Sequence, residues 1–258
     1  MDERSKTGVP GLDELLNGGL PRGGTYSILG YAGSGKTILS LAFIYNGAVK
    51  YDEPGIYILV EEDKERLLSN MKDFGWDLEG LEKEKKITIL PYIRCLMGDV
   101  EASFETELMS ADPSRVERLR EFLTVDTLYK QIKEAVEELD AKRVVIDSMT
   151  MITLLTDNQV SGRLQVMWLI EKLRKLDVTT VVTLEEGISC WKDIPFLCDG
   201  MIYMMLKERE GIFERGLVIE KMRGTSHDTG MRPIKIRTPE GIVVYPDELI
   251  FKRGSSKD

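Results

Sequence analysis

The sequence of 258 residues predicts an α/β protein with a mostly parallel central sheet flanked by helices, and with antiparallel C-terminal strands. Over the first three quarters of the chain, short apolar runs typical of buried strands alternate with segments whose apolar residues recur at helical spacing. Strands then dominate the last quarter, which favours an antiparallel end to the same sheet. We therefore expect one domain over residues 1–258.

Residues 7–24 form an amino-terminal segment that is rich in glycine and proline and contains one short helical turn near 12–16. The main elements of the amino-terminal half follow this segment. Asp63 is expected to cap the second main helix and Gly75 to end it. The predicted elements are, in order, a strand at 25–29, a helix at 38–49, a strand at 55–60, the helix between Asp63 and Gly75, and a strand at 86–90.

The second half begins with residues 94–114, which have no clear periodicity and are interpreted as a loop. Residues 125–139 follow as a strongly amphipathic helix. The remaining predicted elements are a strand at 143–148, a helix at 159–175, a strand at 178–183, a loop at 185–197, antiparallel strands at 201–206 and 213–222, and a hairpin of 233–237 with 242–245.

The charge and the cysteine content of the chain argue against several classes of function. The net charge is −9, from 35 basic and 44 acidic residues, which argues against broad, sequence-independent nucleic-acid binding by a monomer. The three cysteines, Cys95, Cys190 and Cys198, form no C-x-x-C pair, which indicates thiols in a reducing compartment rather than disulfides or a zinc site. The amino terminus is charged, and no apolar run approaches the roughly 20 residues that cross a bilayer. We expect a soluble, cytoplasmic protein without a membrane partner.

Residues 30–37, GYAGSGKT, fit the phosphate-binding pattern G-x-x-x-x-G-K-[ST]. Glycines let backbone N–H groups surround an anion, and the following helix directs its partly positive end towards the same phosphates. Lys36 would then bridge the β- and γ-phosphates, and the Thr37 hydroxyl would hold Mg²⁺. The alternative is a flexible glycine turn. A predicted strand before the loop and a predicted helix after it favour the nucleotide site.

Three carboxylates are candidates for the chemistry next to this loop. Asp147 ends a buried strand, where a parallel sheet places ligands, and is interpreted as a second contact for Mg²⁺; the alternative is a simple cap for the next segment. Glu61 and Glu62 end the strand that follows the loop-bearing helix. One or both are candidates to orient or deprotonate a water. The alternative to a catalytic role is that both are solvent-exposed residues of an acidic segment at the start of the next helix.

A basic stretch at residues 221–227, KMRGTSH, is the other notable feature. Lys221 and Arg223 are two residues apart on a predicted strand, so both side chains project from one face. Two neighbouring cations suit phosphate oxygens, either on the same subunit's nucleotide or on a neighbour's. His227 is the only histidine, and the residues alone assign it no role.

Several stretches together resemble the KaiC-type ATPases of the RecA superfamily. They are TGVPGLDELLNGGLPRGG (7–24), the phosphate loop, VEED (60–63), FGWDL (74–78), VVIDSMT (144–150), TTVVTLEE (179–186) and KMRGTSH (221–227). They occur in order over nearly the whole chain. The resemblance implies a RecA-like P-loop NTPase fold and a homo-oligomeric ring, usually a hexamer, with ATP and Mg²⁺ at each subunit boundary.

The resemblance also implies roles for individual residues. Glu61 or Glu62 would be the catalytic base, and Lys36 would act on the phosphates. Thr37 and Asp147 would serve Mg²⁺, and Phe74 would lie near the adenine. Lys221, Arg223 and His227 would reach in from the adjoining subunit, as an arginine finger does. The loop residues implied to hold the nucleotide are Gly33, Ser34, Gly35, Lys36, Thr37 and Ile38.

Three functions remain open on the sequence. The first is Mg²⁺-dependent ATP hydrolysis coupled to assembly or to an unidentified protein partner. The second is an ATP-occupancy switch or scaffold with little turnover. The third is a recombination-related protein that binds single-stranded DNA through loops near 161–163 and 187–195. DNA is not favoured, because those loops carry only Arg163 and Lys192 as cations.

The cyanobacterial clock protein of this family has two tandem copies and an autophosphorylated C-terminal segment. This chain has one copy, so autokinase activity is not expected.

Overall fold

The computed structural model describes residues 4–92, 124–150, 159–187, 194–209 and 211–250. The main strands and helices predicted from the sequence within these ranges are confirmed. The strands are β1 (Arg4–Ser5), β2 (Leu20–Pro21), β3 (Thr25–Gly30), β4 (Gly55–Leu59), β5 (Ile87–Pro91), β6 (Arg143–Asp147), β7 (Thr179–Glu185), β8 (Gly200–Arg209), β9 (Ile212–Met222), β10 (Arg232–Arg237) and β11 (Gly241–Val244). The helices are α1 (Leu12–Leu15), α2 (Lys36–Lys50), α3 (Lys64–Lys72), α4 (Leu78–Lys83), α5 (Val125–Leu139), α6 (Gln159–Arg174) and α7 (Ile194–Leu197).

Nine strands form one sheet in the order β11-β10-β9-β8-β3-β7-β6-β4-β5. The six strands from β8 to β5 are mutually parallel, whereas β9, β10 and β11 pair antiparallel. The predicted α/β class, with a mostly parallel sheet and antiparallel C-terminal strands, is therefore confirmed.

The two faces of the sheet are covered by different helices. Successive side chains of a strand point to opposite faces. Tyr57 accordingly belongs to a core shared with α1 to α4, while its neighbours Ile56 and Ile58 belong to a core shared with α5, α6 and α7. The central strands are apolar along their whole length because both of their faces are buried.

Some local predictions were incomplete or wrong. The small sheet of β1 and β2 was not predicted, and neither were the short helices α4 and α7, because elements of two to six residues carry too little periodicity to be recognised. Residues 161–163, interpreted as near a DNA-binding loop, lie within helix α6. The predicted loop at 185–197 begins with the last residue of β7 and ends in α7. Residues 94–114 lie outside the described ranges.

The strand register brings several carboxyl ends to one edge of the sheet. Gly30 at the end of β3 is level with Glu185 at the end of β7, and Leu59 at the end of β4 is level with Asp147 at the end of β6. Ligands of open α/β sheets bind outside this edge. No helix in the described part of the chain is both long and apolar enough to cross a membrane.

Candidate functional site

The predicted phosphate loop connects β3 to α2. The loop leaves the strand at Gly30, where an added Cβ would lie 2.4 Å from the carbonyl oxygen of Met204. It enters the helix through Gly35, whose φ of 105° is in the left-handed region that favours glycine. Ser34 is buried between them. The glycine spacing of the motif is therefore required by the backbone path.

A cavity of about 500 Å³ opens next to this loop, within the range of small-molecule sites. Its wall contains most of the residues predicted for phosphate, metal and water. The lining residues are Ala32, Gly33, Gly35, Lys36, Thr37, Ile38, Leu59, Glu61, Glu62, Asp147, Ser148, Glu185, Arg215 and Ile236. Loop, metal and base candidates from three separate segments of the sequence are thus brought to one place.

Lys36 is the cation at the base of the cavity. Its Nζ donates to the carbonyl oxygens of Gly30 at 2.8 Å and Tyr31 at 3.0 Å. Burial lowers the pKa of the Lys36 ammonium, and the nearby carboxylates, first Glu185 and then Asp147, partly offset that effect. Within the described ranges the ammonium hydrogen-bonds to neutral carbonyls, so a phosphate oxygen would be a stronger partner.

Asp147 is fixed by two hydroxyl groups. The Tyr57 hydroxyl donates to Oδ2 at 2.5 Å, and the Thr183 hydroxyl donates to Oδ1. Burial raises the pKa of Tyr57 well above its ordinary value, and Asp147 adds to this, so Tyr57 remains a neutral donor. Each carboxylate oxygen keeps a further lone pair. The Asp147 carboxylate and the Thr37 hydroxyl are oxygen donors of the type that Mg²⁺ prefers, and both line the cavity, so the donor set fits a magnesium ion.

Glu61 and Glu62 differ in their surroundings. Glu61 accepts a hydrogen bond of 2.5 Å from the Ser148 hydroxyl at Oε1. Burial raises the pKa of Glu61, while the Ser148 hydrogen bond opposes that rise. Burial also raises the pKa of Glu62, opposed by Arg66, and a long bond of 3.4 Å links its Oε1 to Asn70. A carboxylate with a raised pKa is better suited to accept a proton near neutral pH. Both carboxylates interact with Asp147, and Glu61 is the one that also interacts with Lys36.

Two charged residues of the cavity wall were missed by the sequence analysis. Arg215 donates from Nε to the carbonyl oxygen of Gly33 at 3.0 Å. It reaches the loop because β9 pairs with β8 in a register that places it opposite Leu206, a long-range contact that no local motif reveals. Glu185 ends β7, and its position after an apolar strand was a signal that could have identified it.

Five predicted site residues do not line the cavity: Ser34, which is buried beneath the loop, and Phe74, Lys221, Arg223 and His227. The ring of Phe74 packs 5.6 Å from that of Trp76. Lys221 and Arg223 lie at the opposite end of the sheet, with Arg223 in the turn just after β9. Neither side chain lines the cavity of the same protomer, so the role predicted for them at a phosphate would require a neighbouring copy.

Comparison with known proteins adds independent information. A family model described as "ATPase: KaiC" matches residues 5–249. A UPF0273 protein of Thermotoga maritima is 38% identical over 253 residues, which is 96% of this chain and 98% of that protein. A UPF0273 protein of Methanocaldococcus jannaschii is 34% identical over 255 residues, or 97% and 100% of the two chains.

Two further similarities involve proteins with KaiC in their names. The circadian clock oscillator protein KaiC of Synechococcus elongatus is 32% identical over 248 residues, which is 94% of this chain but 44% of the clock protein. The crystal structure of a KaiC-like protein from Pyrococcus horikoshii superposes with a TM-score of 0.78 at 34% identity, over 95% of this chain and 100% of that one.

Proposed function

The chain belongs to the KaiC family of ATPases, and from this premise we propose that it acts as one domain over residues 1–258 that binds ATP and hydrolyses it with Mg²⁺ at subunit interfaces. One observation carries the proposal: the cavity beside the phosphate loop contains Lys36, Thr37, Asp147 and Glu61 together. Phosphoryl transfer needs little covalent help from the protein. It depends on positioning and on neutralising charge, which this group of residues supplies.

Each residue has a physical role in the proposed reaction. Backbone N–H groups of the loop and the amino end of α2 bind phosphate oxygens, and Lys36 exchanges its carbonyl partners for the β- and γ-phosphates. Thr37 and Asp147 would hold Mg²⁺, which supplies charge neutralisation when bound. Glu61 orients a water and accepts its proton. Arg215 braces the loop through the Gly33 carbonyl and leaves its two terminal nitrogens for the nucleotide.

The remaining charge at the γ-phosphate is proposed to be neutralised by Lys221 and Arg223 of a neighbouring copy, as an arginine finger does in trans. The support is that both cations lie together but away from the cavity of their own protomer. A ring of identical subunits, with a hexamer as the expected size, satisfies this requirement at every boundary.

The pH dependence of turnover offers a test of the role of Glu61. The base must be ionised, so the rate is expected to fall as the pH drops through the raised pKa of Glu61. In Ser148→Ala, the hydrogen bond that lowers this pKa is lost, and the acid limb should move to higher pH by about one unit, since a bond to a charged group contributes roughly 1.5 kcal/mol. Ser148→Thr retains the hydroxyl and is the control. An acid limb that is identical in all three proteins would contradict the assignment.

The experiment that tests the proposal as a whole measures particle mass by light scattering, with and without Mg-ATP, together with phosphate release. We expect phosphate release that requires Mg²⁺ and a specific rate that rises with protein concentration as the ring assembles. A monomer that hydrolyses ATP at the full rate would refute the interfacial site. Nucleotide-dependent assembly with no phosphate release would instead indicate an ATP-occupancy switch.

A further inference from the structure

One exposed aromatic ring and two cations lie together at the amino-terminal end of the parallel strands. We call this group the cation face; it consists of Phe196, Lys221 and Arg223. The Phe196 carbonyl oxygen accepts hydrogen bonds from Lys221 Nζ at 2.8 Å and Arg223 Nη2 at 3.4 Å. The Cys198 carbonyl accepts a second bond from Lys221 at 2.6 Å. The backbone of Phe196 and both cations are therefore held together in the single protomer, with the Phe196 ring beside them.

The cation face is directed away from the nucleotide cavity of its own protomer. Lys221 is level with Met201 on β8, and Met201 is level with Ser27 on β3. The strand β3 continues for three more residues before the phosphate loop begins at Gly30, a distance of roughly 10 Å at 3.3 Å per residue. The carbonyls of Phe196 and Cys198 hold Lys221 at this far end, so the cation face is remote from the cavity of its own protomer.

Charge indicates which surface the cation face fits. Beside it, Asp199 pairs with Arg174 at 2.7 Å and lies 3.8 Å from Arg223, so cations exceed anions there. The nucleotide cavity has the opposite balance, because Lys36 and Arg215 are outnumbered by four carboxylates. These are Glu61, Glu62, Asp147 and Glu185. Complementary potentials of this kind guide association and set its register.

An exposed aromatic ring lies at each of these two surfaces, the cation face and the rim of the nucleotide cavity. The side chain of Phe196 is 60% exposed, although it belongs to a short helix packed against the core. At the nucleotide edge, Tyr31 of the phosphate loop is 47% exposed, and its carbonyl oxygen accepts the Lys36 hydrogen bond. Exposed aromatic rings bordered by charges are typical of interface anchors.

We propose, building on the interfacial ATPase described above, that Phe196 anchors the contact between neighbouring copies of this chain. Its ring packs against the rim of the next copy's nucleotide cavity around Tyr31, and it thereby places Lys221 and Arg223 at the γ-phosphate. The contact joins two different surfaces head to tail, and such contacts generate a ring when the rotation between copies closes. The aromatic ring supplies affinity, and the two cations supply catalysis.

The test measures specific ATPase rate and particle mass against protein concentration for the full chain. Phe196→Ala should raise the concentration of half-maximal activity at least tenfold, with a rate at saturating protein within twofold of the unmodified chain. Phe196→Tyr should restore the original curve. The matched control is Phe213→Ala, which removes a ring that is 64% exposed at the β8–β9 hairpin and should leave the curve unchanged.

The double variant Lys221→Ala with Arg223→Ala separates this inference from the proposed function. It should assemble with Mg-ATP and release little phosphate at any protein concentration. If that variant is inactive while Phe196→Ala follows the unmodified curve, the anchor is refuted and the interfacial ATPase stands. If the double variant keeps its rate and the rate is independent of concentration, the interfacial site itself is refuted, and the anchor with it.

Discussion

Replacing Lys36 by alanine is expected to weaken ATP binding by about a hundredfold or more and to reduce phosphate release below detection. Among the residues that the structure describes, the ammonium hydrogen-bonds to the carbonyl oxygens of Gly30 and Tyr31, so its loss breaks no direct ion pair in the nucleotide-free protein. Each charge-assisted bond to a phosphate contributes roughly 1.5–3 kcal/mol, and Lys36 is proposed to make more than one. Titration with a fluorescent ATP analogue and a phosphate-release assay measure the two effects.

Lys50→Ala is the matched control for this variant. Lys50 is at the other end of α2, is exposed, and donates to the Gly8 carbonyl at 3.0 Å. Its loss should change neither ATP affinity nor turnover. Thermal unfolding of the two variants without nucleotide should be similar, and only Lys36→Ala should lose the rise in midpoint that bound ATP gives. Wild-type ATP affinity in Lys36→Ala would contradict the nucleotide site.

The main elements of the fold could be predicted because local patterns determine them. The phosphate loop is a contiguous stretch, and Gly35 has the left-handed φ that its position in the motif implies. Asp63 caps α3 by accepting from the Arg66 N–H at 3.0 Å, as its place before an apolar helical pattern predicts. The position of Asp147 beside the loop could be predicted because it ends an apolar strand.

The parts that escaped prediction depend on tertiary contacts. Tyr57 is 90 residues from Asp147 in sequence yet donates to it, and the residue appears in the sequence only as one more apolar position of β4. Arg215 contacts a loop 182 residues away. The position of Lys221 and Arg223 at the far end of the sheet follows from the antiparallel pairing of β9. The residues alone left open whether they serve their own nucleotide or a neighbour's. The family resemblance implied the neighbour's, and this pairing is consistent with it.

Glu61→Gln is expected to lower the rate of phosphate release by about 10²–10⁴-fold, the usual contribution of a general base, while ATP binding and assembly persist. Glutamine keeps the shape of the side chain and can still accept the Ser148 hydrogen bond at its carbonyl oxygen, but it cannot take a proton. Glu62→Gln is the matched control, and its effect should be less than tenfold, because Glu62 interacts with Arg66 and Asn70. Single-turnover phosphate release with bound ATP measures the chemical step in both variants.

The ratio between these two variants decides the assignment. The Ser148 partner of Glu61 and its interaction with Lys36 favour it over its neighbour as the base. If Glu62→Gln were the more damaging change, the roles of the two carboxylates would be reversed, with the rest of the site unaltered. If the double variant Glu61→Gln with Glu62→Gln still hydrolysed ATP at the original rate, neither carboxylate would be the base. The proton would then have to pass to the phosphate itself or to Glu185, the other unassigned carboxylate in the cavity wall.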